Sequence, residues 1–173
     1  VNGSKEAVNE LLENPAVQAI SFVGSTPVAK YIYETGAKYG KRVTALGGGK
    51  NNMVVMPDAD LEQVANAFIG AAYGAASQRC MAISTIMPVG EETANKLVAI
   101  LKDKISKLKV GSYTEEGTDF GPVISKESKE SIIKAIDLAE QQGATVVNDG
   151  RELDIVKNAE GFFVGPTLLD HIT

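Results

Sequence analysis

The sequence predicts an α/β fold, three-layered and built on a largely parallel sheet. Short stretches of strand length alternate along the chain with longer amphipathic stretches of helix length. Turns rich in glycine, proline, asparagine and aspartate separate them. The composition is that of a globular chain: of 173 residues, 44% are apolar and 23% charged. That is enough for one sizeable core or one and a half small ones.

Lys5 to Glu13 has helical periodicity, with Ala7, Val8, Leu11 and Leu12 on one face. Ser4 is placed to cap it, and Asn14-Pro15 closes it. Val17 to Val23 reads as a strand. Gly24-Ser25-Thr26-Pro27 turns it into a helix over about Pro27 to Tyr39, with Pro27 at the first helical position, where its missing N–H is not needed. Such a strand-to-helix turn can receive a phosphate on its free N–H groups, or be a simple capped turn.

Arg42 to Leu46 is the next strand. It leads into Gly47-Gly48-Gly49-Lys50, where glycine permits close backbone approach. This is not a P-loop, which needs glycine at Thr44 and serine or threonine at Asn51; nor is it GxGxxG. Asn52 to Met56 is a strand, and Asp60 caps a helix from Leu61. The small and apolar run Val64 to Ala76 then reads as a buried helix, and Ile83 to Val89 as the strand after it.

Glu92 to Leu108 is an amphipathic helix with Leu97, Val98, Leu101, Ile105 and Leu108 on its apolar face. Lys102, Lys104, Lys107 and Lys109 complement its dipole and form a solvated face. Gly111 to Gly121 is a loop. Lys126 to Gln142 is a helix ended by Gly143, and Ala144 to Asn148 a strand. Asp149 to Gly161 reads as an exposed polar excursion, and Phe162 to Leu169 as extended chain bent at Gly165-Pro166.

The net charge of −5, with no lysine/arginine cluster, argues against nucleic-acid or anionic-membrane partners. No apolar run is long enough to span a bilayer. One cysteine excludes an internal disulfide and fits a reducing, cytoplasmic location. One cysteine and one histidine, His171, argue against a zinc site. The chain opens on Val1 in a helical pattern and stops at Leu168-Leu169-Asp170-His171-Ile172-Thr173, which reads as a piece of a longer protein.

The candidate chemistry centres on Gly74-Ala75-Ala76-Ser77-Gln78-Arg79-Cys80-Met81-Ala82. A lone thiol at a break between a buried helix and a strand can be held rigidly and shown to a cleft. Arg79 beside it can favour the thiolate, the reactive form. The alternative is a small buried hydrophobe, the commonest state of a single cysteine.

Six motifs in order carry a resemblance. They are Phe22-Val23-Gly24-Ser25-Thr26, Leu46-Gly47-Gly48-Gly49-Lys50-Asn51, Met56-Pro57-Asp58-Ala59-Asp60, Gln78-Arg79-Cys80, Gly121-Pro122-Val123-Ile124-Ser125 and Gly165-Pro166-Thr167. Together they resemble the aldehyde dehydrogenase superfamily over nearly the whole chain. Gln-Arg-Cys-Met-Ala and Gly-Lys-Asn are most similar to the CoA-acylating methylmalonate-semialdehyde (malonate-semialdehyde) dehydrogenases.

The resemblance implies that Cys80 is the nucleophile that attacks the aldehyde carbonyl, and that the resulting thiohemiacetal gives a hydride to NAD and becomes a thioester. Gly24 and Ser25 match the turn that meets the cofactor's pyrophosphate, and Gly47 a backbone position beside the nicotinamide. Arg79 is a candidate to hold the substrate's carboxylate, the alternative being a structural salt bridge.

The superfamily's usual Glu-Leu-Gly-Gly-Lys, aligned on Gly48-Gly49-Lys50, puts its glutamate at Leu46. Leucine cannot act as the base that activates water, so the thioester is expected to await a better nucleophile, CoA. Ala29 stands where the superfamily has a glycine, as in the acylating subfamily.

The resemblance further implies that residues 1–45 end the NAD-binding domain and 46–173 form most of the catalytic domain. The main cofactor half and an oxyanion-stabilising asparagine would precede Val1. The glutamate-phenylalanine ribose motif and the subunit-pairing strand would follow Thr173. The chain alone is expected not to turn over, and the full-length protein to be a homo-oligomer, dimer or tetramer. The competing readings are a hydrolytic NAD(P)-dependent aldehyde dehydrogenase with a displaced base, a non-catalytic binding module that keeps the fold, and a glyceraldehyde-3-phosphate type enzyme. The last needs a histidine partner, for which His171 is poorly placed.

Overall fold

The computed structural model describes residues 3–158 and 160–172. The chain divides into two compact units, Val1–Gly49 and Lys50–Thr173.

In the first unit, α1 (Lys5–Glu13) buries Leu12. Strands β1 (Ala19–Val23) and β2 (Arg42–Leu46) pair in parallel, from Ala19 opposite Arg42 to Val23 opposite Leu46. They are joined by α2 (Thr26–Lys38), which buries Ala29, Ile32 and Gly36. A right-handed strand needs such a crossover to reach a parallel neighbour. The ammonium of Lys41 is drawn inward and donates to the carbonyls of Asn14 (2.6 Å) and Val17 (2.5 Å), fixing the turn between α1 and β1.

In the second unit, β3 (Asn51–Val55) pairs in parallel with β4 (Ile83–Pro88). The register slips between Asn51 and Asn52, where Ile83 and Thr85 are the successive partners, so Ser84 is an extra residue on β4. Helix α3 (Leu61–Tyr73) crosses between the two strands. Asp60 caps it, accepting from the N–H groups of Glu62 (3.0 Å) and Gln63 (3.1 Å). Helix α4 (Glu91–Ile105) lays Leu97, Leu101 and Ile105 against Val55, Ala65, Phe68 and Ala72 of β3 and α3. Leu101 is only 1% exposed. Leu101→Ala is therefore expected to cost about 3 kcal/mol through lost burial and a residual cavity, read as a lower urea midpoint at unchanged slope.

After the loop, α5 (Lys126–Gln141) is capped by Ser125, whose hydroxyl accepts from the N–H of Ser128 at 3.2 Å. It ends before Gly143, which takes a φ of 99°. Strand β5 (Thr145–Asn148) pairs with β6 (Leu168–Asp170), and this pair is antiparallel. Among the described residues, two of the three strand pairs are thus parallel. A groove of about 840 Å³ is lined by Ile83–Met87 and Leu168–Asp170, with Phe68, Tyr73 and Ile136.

The segment expected to be an exposed excursion is not one. It holds a 3-10 turn, Gly150–Glu152, and a short helix, α6 (Asp154–Asn158). Val156 is 5% exposed and packs with Val110, Phe120 and Phe163 in a second apolar cluster. A lone Ile155-Val156 pair in a polar stretch shows no periodicity, so only the tertiary partners reveal it as core. The segment is also tied from above: Lys129 donates to the carbonyl of Val156 (2.6 Å), and Arg151 gathers Asp137, Glu140 and Asp149. The Arg151 guanidinium holds the Asp149 carboxyl below the usual carboxylate range. No helix among the described residues is long and apolar enough to cross a membrane.

Candidate active site

The helix expected to run to Ala76 stops at Tyr73. Beyond Gly74 the chain makes a left-handed turn, with φ of 53°, 51° and 62° at Ala75, Ala76 and Ser77. L-residues pay roughly 1–2 kcal/mol each for that conformation, and it persists only where the surroundings dictate it. The turn is followed by a second one, Arg79 to Ala82, closed by the Ala82 N–H donating to the carbonyl of Arg79 at 3.1 Å. Cys80 is the residue after the first corner, and it is exposed.

What dictates this path is a set of side-chain tethers. Arg79 folds back over the end of α3, donating from Nε to the carbonyl of Gly74 (3.1 Å) and from Nη2 to that of Gly70 (3.3 Å). These carbonyls lie at the helix C-terminus, where the dipole favours a cation and intrahelical partners run out. A Cβ at Gly74 would meet the Arg79 guanidinium, so a side chain there would push Arg79 out of this position. Gln78 accepts at Oε1 from the N–H of Ile124 (2.8 Å), binding the cysteine loop to the Gly-Pro-Val-Ile-Ser motif. Asn51, the first residue of β3, donates from Nδ2 to the carbonyls of Cys80 (2.8 Å) and Ala82 (2.9 Å). Tyr73, at the end of α3, donates its hydroxyl to the carbonyl of Thr167 (2.9 Å); burial pushes its phenol up.

The other predicted residues come together in the first unit. Gly24 follows β1, and its N–H donates to the carbonyl of Leu46 at 3.0 Å, across the C-terminal ends of the two parallel strands. Ser25 is the N-cap residue of α2, but its hydroxyl makes no capping bond. The first-turn N–H groups of α2 are thus not capped by it. Gly47 lies against the first residue of the same helix: a Cβ would meet Thr26 Oγ1 at 2.8 Å, and the Gly48 N–H donates to that oxygen at 3.0 Å. The residues fit a nucleotide's phosphates: uncapped N–H groups and glycine backbone at the carboxyl ends of parallel strands, where α/β sheets take such ligands. Leu46 ends β2 and is 56% exposed.

Sequence reasoning missed the tethering roles of Asn51, Gln78 and Gly74. The polar side chains on either side of the cysteine were visible as motif letters, but not their partners, 29 and 46 residues distant in sequence for Cys80–Asn51 and Gln78–Ile124. Among the described residues, no group of three histidine, cysteine, aspartate or glutamate side chains could hold a metal ion.

An α/β chain with a lone exposed cysteine on a tethered turn fits the cysteine-dependent class of oxidoreductases. The chain belongs to the aldehyde dehydrogenase family, whose model matches residues 1–173. It is 49% identical over all its 173 residues to the malonate-semialdehyde dehydrogenase of Pseudomonas aeruginosa, covering 35% of that protein. The crystal structure of a methylmalonate-semialdehyde dehydrogenase from Oceanimonas doudoroffii superposes with a TM-score of 0.96 at 51% identity, matching the whole chain and 36% of the neighbour. A Sinorhizobium meliloti 1021 protein assigned to the methylmalonate-semialdehyde dehydrogenases, solved in complex with NAD, gives the same TM-score of 0.96 and 51% identity over 35% of its length. The chain thus spans about a third of the length of these relatives.

Proposed function

We propose that the protein to which this chain belongs is an NAD-dependent, CoA-acylating aldehyde dehydrogenase. It oxidises malonate or methylmalonate semialdehyde to acetyl-CoA or propionyl-CoA, with loss of CO2. The single observation that carries the acylating reading is Leu46, an apolar side chain where hydrolytic members place their base. The names of the similar proteins support the substrate class.

In this reading the Cys80 thiolate attacks the aldehyde carbonyl and forms a thiohemiacetal. Gly24, Ser25 and the first turn of α2 would hold the NAD pyrophosphate, and the Gly47 backbone would contact the nicotinamide. NAD, when bound, supplies the hydride acceptor that makes the thiohemiacetal a thioester. With leucine at position 46 no carboxylate takes a proton from water there, so the acyl group stays on Cys80. Its carboxylate leaves as CO2, the bond electrons passing to the carbon beside the thioester, which takes a proton from solvent; the CoA thiolate then displaces the acetyl or propionyl group and frees the Cys80 thiolate. The Val1–Gly49 unit is then the end of the NAD-binding domain, and Lys50–Thr173 most of the catalytic one. Residues 1–173 alone do not turn over.

Arg79 recognises the substrate's carboxylate. Two of its five N–H groups are engaged on Gly70 and Gly74, which orients the guanidinium. The remaining hydrogens, two on Nη1 and one on Nη2, are the donors for a carboxylate. Arg79→Leu in the full-length protein is expected to lower kcat/KM for malonate semialdehyde about 10- to 100-fold more than for propanal. Equal losses for both aldehydes would leave Arg79 only its helix-capping role.

The function is tested by products. Full-length protein given malonate semialdehyde, NAD and CoA should yield acetyl-CoA by mass spectrometry. Malonate as the sole product would establish the hydrolytic alternative.

A further inference from the structure

Cys80 is exposed, so packing of its own side chain does not hold it, and it lies in the Arg79–Ala82 turn that follows the left-handed one. Its backbone must be held by something else if its sulfur is to meet a carbonyl at a fixed angle. Arg79 and Gln78 hold the chain ahead of it. On the far side a single side chain does the work. Asn51 spends both hydrogens of its Nδ2 on the Cys80–Ala82 segment, one on the carbonyl of Cys80 at 2.8 Å and one on that of Ala82 at 2.9 Å.

The local sheet geometry makes this possible. The register slip beside Asn51 places one extra residue, Ser84, on the strand that follows the cysteine. Such irregularities re-aim side chains at the ends of strands. Asn51 is also joined through Lys50 to the glycine run that ends the first unit's Leu46-Gly47-Gly48-Gly49.

We infer that Asn51 is a positioning residue for the nucleophile: its amide clamps the carbonyls on both sides of Met81 and so fixes the direction of the Cys80 side chain. The inference rests on the reading of Cys80 as the nucleophile. It needs an amide at this position. A carboxylate has the same shape but would put one oxygen, in place of Nδ2, against both carbonyl oxygens. A serine keeps one shorter donor and cannot span both.

The test uses the full-length protein with Asn51→Asp and Asn51→Ser, assayed with malonate semialdehyde, NAD and CoA. Misplacing reacting atoms by about an ångström costs on the order of 10²-fold in rate. Asn51→Asp is expected to lower kcat about 10- to 100-fold, and Asn51→Ser about 3- to 10-fold. KM should stay within about threefold of wild type, because substrate contacts are untouched. Alkylation of Cys80 by iodoacetamide, which needs no alignment with a bound aldehyde, should also stay within about threefold.

If kcat stays within twofold of wild type in both variants, the inference is overturned. It is equally overturned if the loss lies in KM, if alkylation falls in step with kcat, or if neither variant folds, since Asn51 would then act on binding, on the thiol itself or on folding. Should only Asn51→Asp fail to fold, Asn51→Ser decides. Absence of aldehyde oxidation in the wild type would sink the proposed function instead, so the two failures are distinguishable.

Discussion

Cys80→Ser in the full-length protein is expected to abolish aldehyde oxidation, lowering kcat by roughly 10⁴-fold or more. A thiol is intrinsically nucleophilic; a serine hydroxyl is not, and needs an adjacent base to act. Around Cys80 the described contacts are backbone carbonyls, an amide and a guanidinium, none of which can take a serine proton. The exposed position of Cys80 lets serine fit without repacking, so the melting temperature should not move. NADH formation followed by absorbance checks the first part and a thermal melt the second. A serine variant that keeps a tenth of the wild-type rate would show that Cys80 is not the nucleophile.

The second large effect is expected at Leu46. Without CoA the wild-type protein should release about one NADH per active site and then stall, because the acyl thioester has no positioned base to admit water. Leu46→Glu places a carboxylate where hydrolytic members of the family have theirs. Leu46 is half exposed at the end of β2, so the larger polar side chain displaces no core. General-base assistance is worth about 10²- to 10⁴-fold. The CoA-independent steady state should therefore rise about 100-fold, the initial burst being unchanged. A variant that stalls like the wild type would mean that residue 46 does not govern the choice between water and thiol.

These expectations rest on features that differ in how plainly the sequence displays them. Asp60 caps its helix as its position predicts, whereas Ser4, expected to cap α1, makes no side-chain capping bond. Arg42–Leu46 is a strand over the residues that its composition marks out. The glycine turns after β1 and β2 were legible for the same reason: glycine and proline act locally.

The cysteine loop was not legible in the same way. Nothing local requires Ala75, Ala76 and Ser77 to be left-handed. Alanine favours continuing the helix, and Arg79, Gln78 and Asn51 impose the turn from elsewhere. The sequence leaves Arg79 either a substrate contact or a structural salt bridge; its helix-capping bonds appear only once Gly70 and Gly74 are brought under it. The antiparallel pairing of β5 with β6 and the burial of Val156 are likewise settled by partners far along the chain. Burial was visible where it repeats with a helical period, as in Leu97, Leu101 and Ile105, and invisible where it falls on a single pair.

The acyl group on Cys80 is expected to pass to CoA and not to water. The most direct measurement is the steady-state rate of NADH formation by the full-length protein with saturating malonate semialdehyde and NAD, in the presence and absence of CoA. The account predicts sustained turnover only with CoA, and a single-turnover burst without it. Equal steady rates in both conditions would contradict it, since some other group would then be activating water on the Cys80 thioester.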